Sequence, residues 1–198
     1  MVNKKAEELF RLHGGQLRMS QALEGGTSRS VLYSLRDQGI IVQVTRGVYR
    51  LAELPEYSDP DLSVVSLRYP RAVICLVSAL AFHDLTTQIP HEINIALPRG
   101  SRAPTLTQPP IRHFFFSGQT YGAGIQVHDL DGVLVRVYDP EKTLADCFRF
   151  RNKLGIDIFL EALKSYKEVG HTRPGLIMEY ARICDVEKGI APYLEAGL

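Results

Sequence analysis

The sequence predicts an α+β protein in two parts, with an N-terminal unit at 1–52, a connector at 53–60 and a mixed α+β domain at 61–198. Three observations predict it. Residues 1–52 read as three short helices followed by a tight hairpin. Ala52–Pro60, AELPEYSDP, mixes prolines with acidic and small residues, the composition of a connector. Beyond it, strand patterns come grouped and helix patterns follow grouped, which is the order of an α+β domain.

The first helix is predicted over Lys4–His13, where Ala6, Leu9, Phe10 and His13 recur at helical spacing and Gly14-Gly15 ends the run. A short segment, Arg18–Leu23, is closed by Gly25-Gly26. Thr27 and Ser28 then offer N-caps to a third helix, Arg29–Gln38, whose Val31, Leu32 and Leu35 form one apolar stripe. Gly39 suits the C′ position, which favours a left-handed backbone. Ile40–Val44 and Val48–Leu51 alternate as strands around the Thr45-Arg46-Gly47 turn. Three helices and a hairpin at this spacing describe a winged helix-turn-helix.

In the larger part, Asp61–Tyr69 is predicted helical up to Pro70, and Ala72–His83 is predicted as a buried helix. Glu92–Leu97, Arg112–Phe116, Gly124–Asp129 and Val133–Tyr138 follow as strands, with Asp131-Gly132 turning the last pair. Three helices are predicted at Pro140–Asn152, Asp157–Glu168 and Pro174–Val186, with a short tail at Gly189–Glu195. Asp139 caps the first of them, and Pro140 occupies the first helical position, where its missing N–H costs nothing.

The net charge of +1 conceals an asymmetry: residues 1–50 hold eight Lys/Arg against four Asp/Glu, leaving 15 against 18 for residues 51–198. A cationic head on an acidic body points to a polyanion. Cys75, Cys147 and Cys184 are sparse and odd in number, which implies a reducing compartment and no disulfide framework. No CxxC pair and no cysteine–histidine zinc spacing occurs, so neither metal nor cofactor is expected. The start, MVNKKAEELF, lacks an apolar leader core, and the longest apolar run, Ala72–Phe82, is too short to span a bilayer. A cytoplasmic protein, with no membrane partner, is expected.

Function follows from where the head carries its cations. A helix of this width fits the major groove, and its N-terminal residues reach base edges; a hairpin beside it meets phosphates. The expected contacts to double-stranded DNA are Thr27, Ser28, Arg29, Ser30, Tyr33 and Arg36 from the helix, and Thr45 and Arg46 from the turn. Tyr33 has a second reading, as a core aromatic packed on the hairpin. In the other part, the loop Pro98–Pro104 presents Arg99 and Arg102, suited to a carboxylate-rich partner or to phosphate. No catalytic signature is found. Tyr138-Asp139-Pro140-Glu141-Lys142 superficially resembles a PD-(D/E)xK nuclease, but its acids are bunched at a helix start, where capping explains them. His83 reads as a packed histidine, and Asp146 as a buried anchor whose partner the sequence does not name.

TSRSVLYSLRDQGIIVQVTRGVYRL, ICLVSALAFHDLTTQIPHEINIALPRGSRAP and VRVYDPEKTLADCFRFRNKLG, in this order and spacing, resemble the AbiEi-type antitoxins of type IV toxin–antitoxin systems. The resemblance implies a winged-helix DNA-binding domain and a C-terminal antitoxin domain. It implies autorepression at inverted repeats ahead of the operon, and a nucleotidyltransferase-like toxin as partner. Carried onto this chain, the recognition helix maps to Ser28–Gln38 and the wing to Thr45–Val48, and no catalytic residue transfers. The alternatives are a regulator without a toxin partner and, from another class, a nuclease.

Overall fold

A computed structural model describes residues 2–197. The chain divides into two compact units, one ending at Pro70 and taking in Asp129–Val133, the other formed by Arg71–His128 and the chain from Leu134 on.

The N-terminal unit runs α1 (Val2–Leu12), β1 (Gln16–Arg18), α2 (Met19–Glu24), α3 (Arg29–Asp37), β2 (Ile41–Thr45), β3 (Val48–Leu51) and α4 (Pro60–Arg68). Its antiparallel sheet has the order β1-β3-β2. Ala6 and Phe10 of α1, Leu17, Ala22, Leu32, Leu35, Ile41, Tyr49 and Leu51 make one buried core. This is the element order of the expected helix-turn-helix unit with its hairpin. Strand β1 was not expected; three residues are too few to show alternation, and Arg18 ends this strand instead of opening a helix. Helix α3 stops in a Schellman motif: Ile40 N–H donates to Leu35 O at 3.0 Å and Gly39 N–H to Arg36 O at 2.9 Å, with Gly39 at φ +71°.

The break in packing falls at Pro70 and not after residue 60, because the connector and α4 are bound into this unit. Tyr57 OH donates to Gln16 Oε1 at 2.7 Å, Asp59 caps α4 by accepting Leu62 N–H at 2.9 Å, and Arg18 Nε donates to the Leu67 carbonyl at 2.9 Å.

The second unit contains β4 (Val73–Ile74), α5 (Leu76–Phe82), β5 (Ile93–Pro98), β6 (Ile111–Phe116), α6 (Gln119–Gly122), β7 (Ile125–Leu130) and β8 (Val133–Tyr138). Helices α7 (Pro140–Arg149), α8 (Arg151–Leu154), α9 (Ile156–Glu168), α10 (Pro174–Ile183) and α11 (Glu187–Gly197) follow. The mixed sheet has the order β6-β5-β4-β8-β7, with β4 antiparallel to β5, parallel to β8, and β5 parallel to β6. Val73, Ala96, Phe114, Phe116 and Tyr138 of the sheet pack with Leu144, Phe148, Phe159, Leu163, Ile177 and Ile190 of the helices. The single helix expected over Ala72–His83 is instead β4 followed by α5. A continuous apolar run is compatible with a fully buried central strand as well as a helix, and period alone cannot part them. The helix expected at Pro140–Asn152 is likewise two, α7 and α8, and the expected tail is the full helix α11.

Around the start of α7 lies a buried polar network. Asp139 accepts Lys142 N–H at 2.7 Å and Tyr180 OH at 2.8 Å. Glu141 accepts Tyr166 OH at 2.5 Å and takes Arg173 as a bidentate partner, 2.8 Å on each oxygen. Lys142 and Asp146, both with 0% side-chain exposure, pair at 2.5 Å one helical turn apart. The Lys142 ammonium also lies 4.4 Å from the Tyr138 ring centroid, and the Cys184 thiol donates to Asp146 at 3.4 Å. Burial pushes the Asp146 carboxyl up, against the pull of Lys142. Asp146 is thus a buried anchor, and Lys142 is its partner. His83 is half-buried, packs edge-on against Phe82 and donates its Nε2–H to the Tyr138 carbonyl at 2.8 Å; burial pushes its pKa down.

Removing one member of a buried pair leaves the other charge uncompensated. Asp146→Ala is expected to lower the unfolding free energy by about 3–5 kcal/mol, measured by urea denaturation. Lys142→Met combined with Asp146→Leu should recover most of that loss; a double variant as unstable as the single would contradict the account.

Candidate nucleic-acid interface

Helix α3 is fixed by what it buries. Leu32 and Leu35, both at 0% exposure, enter the core, so the residues at 29, 30, 33 and 36 are carried to the other side. Ser28 caps the helix by accepting Val31 N–H at 3.3 Å, and its hydroxyl lies 2.8 Å from that of Ser30. No acid stands in the first turn, so nothing within the helix offsets the positive end of its dipole. Ser28, Arg29 and Ser30 are all exposed there.

Thr27 departs from the expectation that it contacts DNA. Its N–H closes the α2–α3 turn on Ala22 O at 2.9 Å and its side chain is folded in, leaving 8% exposure. Tyr33, by contrast, is 41% exposed, which decides against its core reading. Arg36 is exposed but engaged, with two hydrogen bonds to Asp37 Oδ1 at 3.0 and 2.8 Å and its guanidinium 5.2 Å from the Tyr33 ring. Tyr33 and Arg36 both act electrostatically on Tyr49 of β3, whose phenol is pushed up by burial. Helix α3 packs against strand β2 of the hairpin.

In the hairpin, Thr45 is half-buried beside a bulge and Arg46 is exposed at the turn. Gly47 takes φ +76°, and its carbonyl accepts Met19 N–H at 2.8 Å, tying the turn to the start of α2. Val42 and Gln43 on the edge strand β2 are exposed as well, and sequence reasoning missed them. For Val42 the signal was available, since with Ile41 turned inward strand alternation sends Val42 outward; Gln43 is in phase with Ile41 and is exposed against that alternation, next to the bulge.

The cationic head is smaller than its count suggests. Arg50 is buried, stacked 4.1 Å from the Tyr57 ring centroid, with its Nε lacking a hydrogen-bond partner. Arg11 pairs with Glu7 and Glu53, and Arg18 spends its Nε on Leu67. Arg29 and Arg46 form no ion pair among the described residues, and both are exposed. Arg99 and Arg102, in the second unit, are exposed on the loop after β5.

Among the described residues, no group of three or more His, Cys, Asp or Glu is placed to hold a metal ion, and no helix is long and apolar enough to cross a membrane.

No curated protein matches the sequence. The fold is similar to the crystal structure of RV2827C protein from Mycobacterium tuberculosis, with a TM-score of 0.53 at 17% identity, over 95% of this chain and 77% of that one. Residues 4–52, from α1 through β3, match the sequence model of a family described as transcriptional regulator, AbiEi antitoxin. The helix-turn-helix unit at the N-terminus thus carries the sequence pattern of the AbiEi-type regulators.

Proposed function

We propose that this protein is a DNA-binding antitoxin of a type IV toxin–antitoxin system. In this reading it represses its own operon at inverted repeats and counteracts a nucleotidyltransferase-like toxin in the cytoplasm. The observation that carries it is the exposed, acid-free start of α3, with Ser28, Arg29 and Ser30 presented, in a unit whose hairpin also presents the unpaired Arg46. Helix α3 enters the major groove. Arg29 reaches base edges or phosphate, the Ser28 and Ser30 hydroxyls position the backbone, and Tyr33 offers an apolar ring to a thymine methyl. Arg46 on the wing neutralises phosphate and adds affinity without sequence choice. The match of residues 4–52 to the AbiEi-type regulators supports this reading.

The protein performs no bond-breaking in this reading. Asp139, Glu141 and Lys142 are committed to Tyr180, Tyr166, Arg173 and Asp146, which favours a structural role over a metal-dependent nuclease. Arg99 and Arg102 are the arginines proposed to meet the carboxylates of a partner. A regulator without a toxin is the alternative. Coexpression with the neighbouring reading frame separates the two: rescued growth supports the antitoxin, and absence of rescue with both proteins soluble leaves the regulator.

Binding to the DNA upstream of the gene, followed by fluorescence anisotropy across a salt series, tests the interface. Arg29→Ala is expected to cost about 1–3 kcal/mol, and Arg46→Ala to reduce the slope of log affinity against log salt by about 1. Unchanged affinity and slope in both variants would remove the assignment.

Ser28 allows its two roles to be separated. Ser28→Ala should lower stability by about 1 kcal/mol through loss of the cap, read from thermal unfolding. Ser28→Asp should keep the cap and the stability yet weaken DNA binding, because its carboxylate would face phosphate. Wild-type binding by Ser28→Asp would place the start of α3 away from DNA.

A further inference from the structure

We propose that the groove between α9 and α11 in the second unit seats an acidic amphipathic helix from a partner protein. The inference is independent of the DNA interface. The groove has a volume of about 510 Å³ and is lined by Leu160, Leu163, Lys164 and Lys167 of α9 and by Pro192, Tyr193 and Ala196 of α11. Leu163 is buried, while Leu160 is left 43% and Tyr193 39% exposed, much for apolar side chains on facing helices. The Tyr193 ring rests 5.5 Å from Phe148 and 5.9 Å from Phe159, centroid to centroid, so this wall is braced from the core and stands preformed.

The charge of the groove selects the occupant. Its two charged lining residues are both lysines, both exposed, and neither forms an ion pair among the described residues. They stand in a part of the chain with more acids than bases, 18 against 15 beyond residue 50. Leu160, Lys164 and Lys167 fall at i, i+4 and i+7, so apolar and cationic contacts share one helical stripe about 10 Å long, matching two turns of an incoming helix. An apolar trough with cations on one wall suits a helix that buries leucine-like side chains and sets carboxylates along one flank. A lipid surface would require a convex or flat apolar face, and the face here is concave.

The test uses the full chain and a fluorescein-labelled helical peptide of roughly 16 residues, with Leu at i, i+4 and i+7 and Glu along one flank. A peptide with Lys in place of Glu is the control. Anisotropy titration should show saturable binding of the acidic peptide only. Lys164→Glu combined with Lys167→Glu should weaken it at least tenfold and favour the basic peptide, and Leu160→Arg should abolish it. All three positions are exposed, so thermal unfolding should be unaltered. The inference falls if the acidic peptide does not bind, or if wild type and variants bind it equally. It also falls if sedimentation shows a dimer that Leu160→Arg dissociates, or if phosphatidylserine vesicles bind where the peptide does not.

Discussion

The burial of Leu32 and Leu35 is the contact on which the proposed interface depends. These two side chains, three residues apart, set the rotation of α3 about its own axis. Once they face the core, Arg29, Ser30, Tyr33 and Arg36 have no choice of direction. The Schellman closure at Gly39 then fixes where the chain leaves the helix and enters β2, and the hairpin follows from that exit. The polar face proposed for recognition is thus a by-product of hydrophobic packing on the other side of the helix.

The second unit is organised by an opposite device. Its centre holds Asp139, Glu141, Lys142 and Asp146, each nearly or wholly withdrawn from water. Such a cluster gives little net stability, because desolvation cancels much of the attraction. Its partners come from several elements: Tyr166 from α9 and Arg173 from the entrance to α10 for Glu141, Tyr180 from α10 for Asp139, and Cys184 at the end of α10 for Asp146. Tyr166 is pushed up to about 12, by burial first and then by its bond to Glu141, so it stays a hydrogen-bond donor throughout the physiological range. An alternative packing of these helices would leave several buried ionic groups unpaired at once.

Much of this was legible in the sequence, and the failures share a physical cause. Caps and glycines were readable because their roles are local: Ser28, Asp139, Pro140 and Gly39 occupy the positions their chemistry suggests. Apolar periodicity gave the inward face of α3 correctly. What the sequence concealed was non-local. Thr27 resembles a surface cap but is consumed by the α2–α3 turn, and Arg50 counts as a cation but is spent on Tyr57. Strand β4 exists because β5 and β8 flank it, and nothing in Ala72–His83 states that neighbours will arrive on both sides. Lys142 is the sharpest case, since a lysine one residue after a glutamate reads as solvated until Asp146 and two aromatic rings enclose it.

The bond from Met19 N–H to the Gly47 carbonyl constrains the length of the hairpin more than its composition. The side chains of Thr45 and Arg46 take no part in this tie, which the backbone alone makes, whereas Gly47 is held to glycine by its φ of +76°. Adding or deleting a residue there would shift the carbonyl off Met19, and with it the entry of α2 into the core. A change in the length of this finger is therefore felt first at the start of α2, through the one backbone bond that joins them.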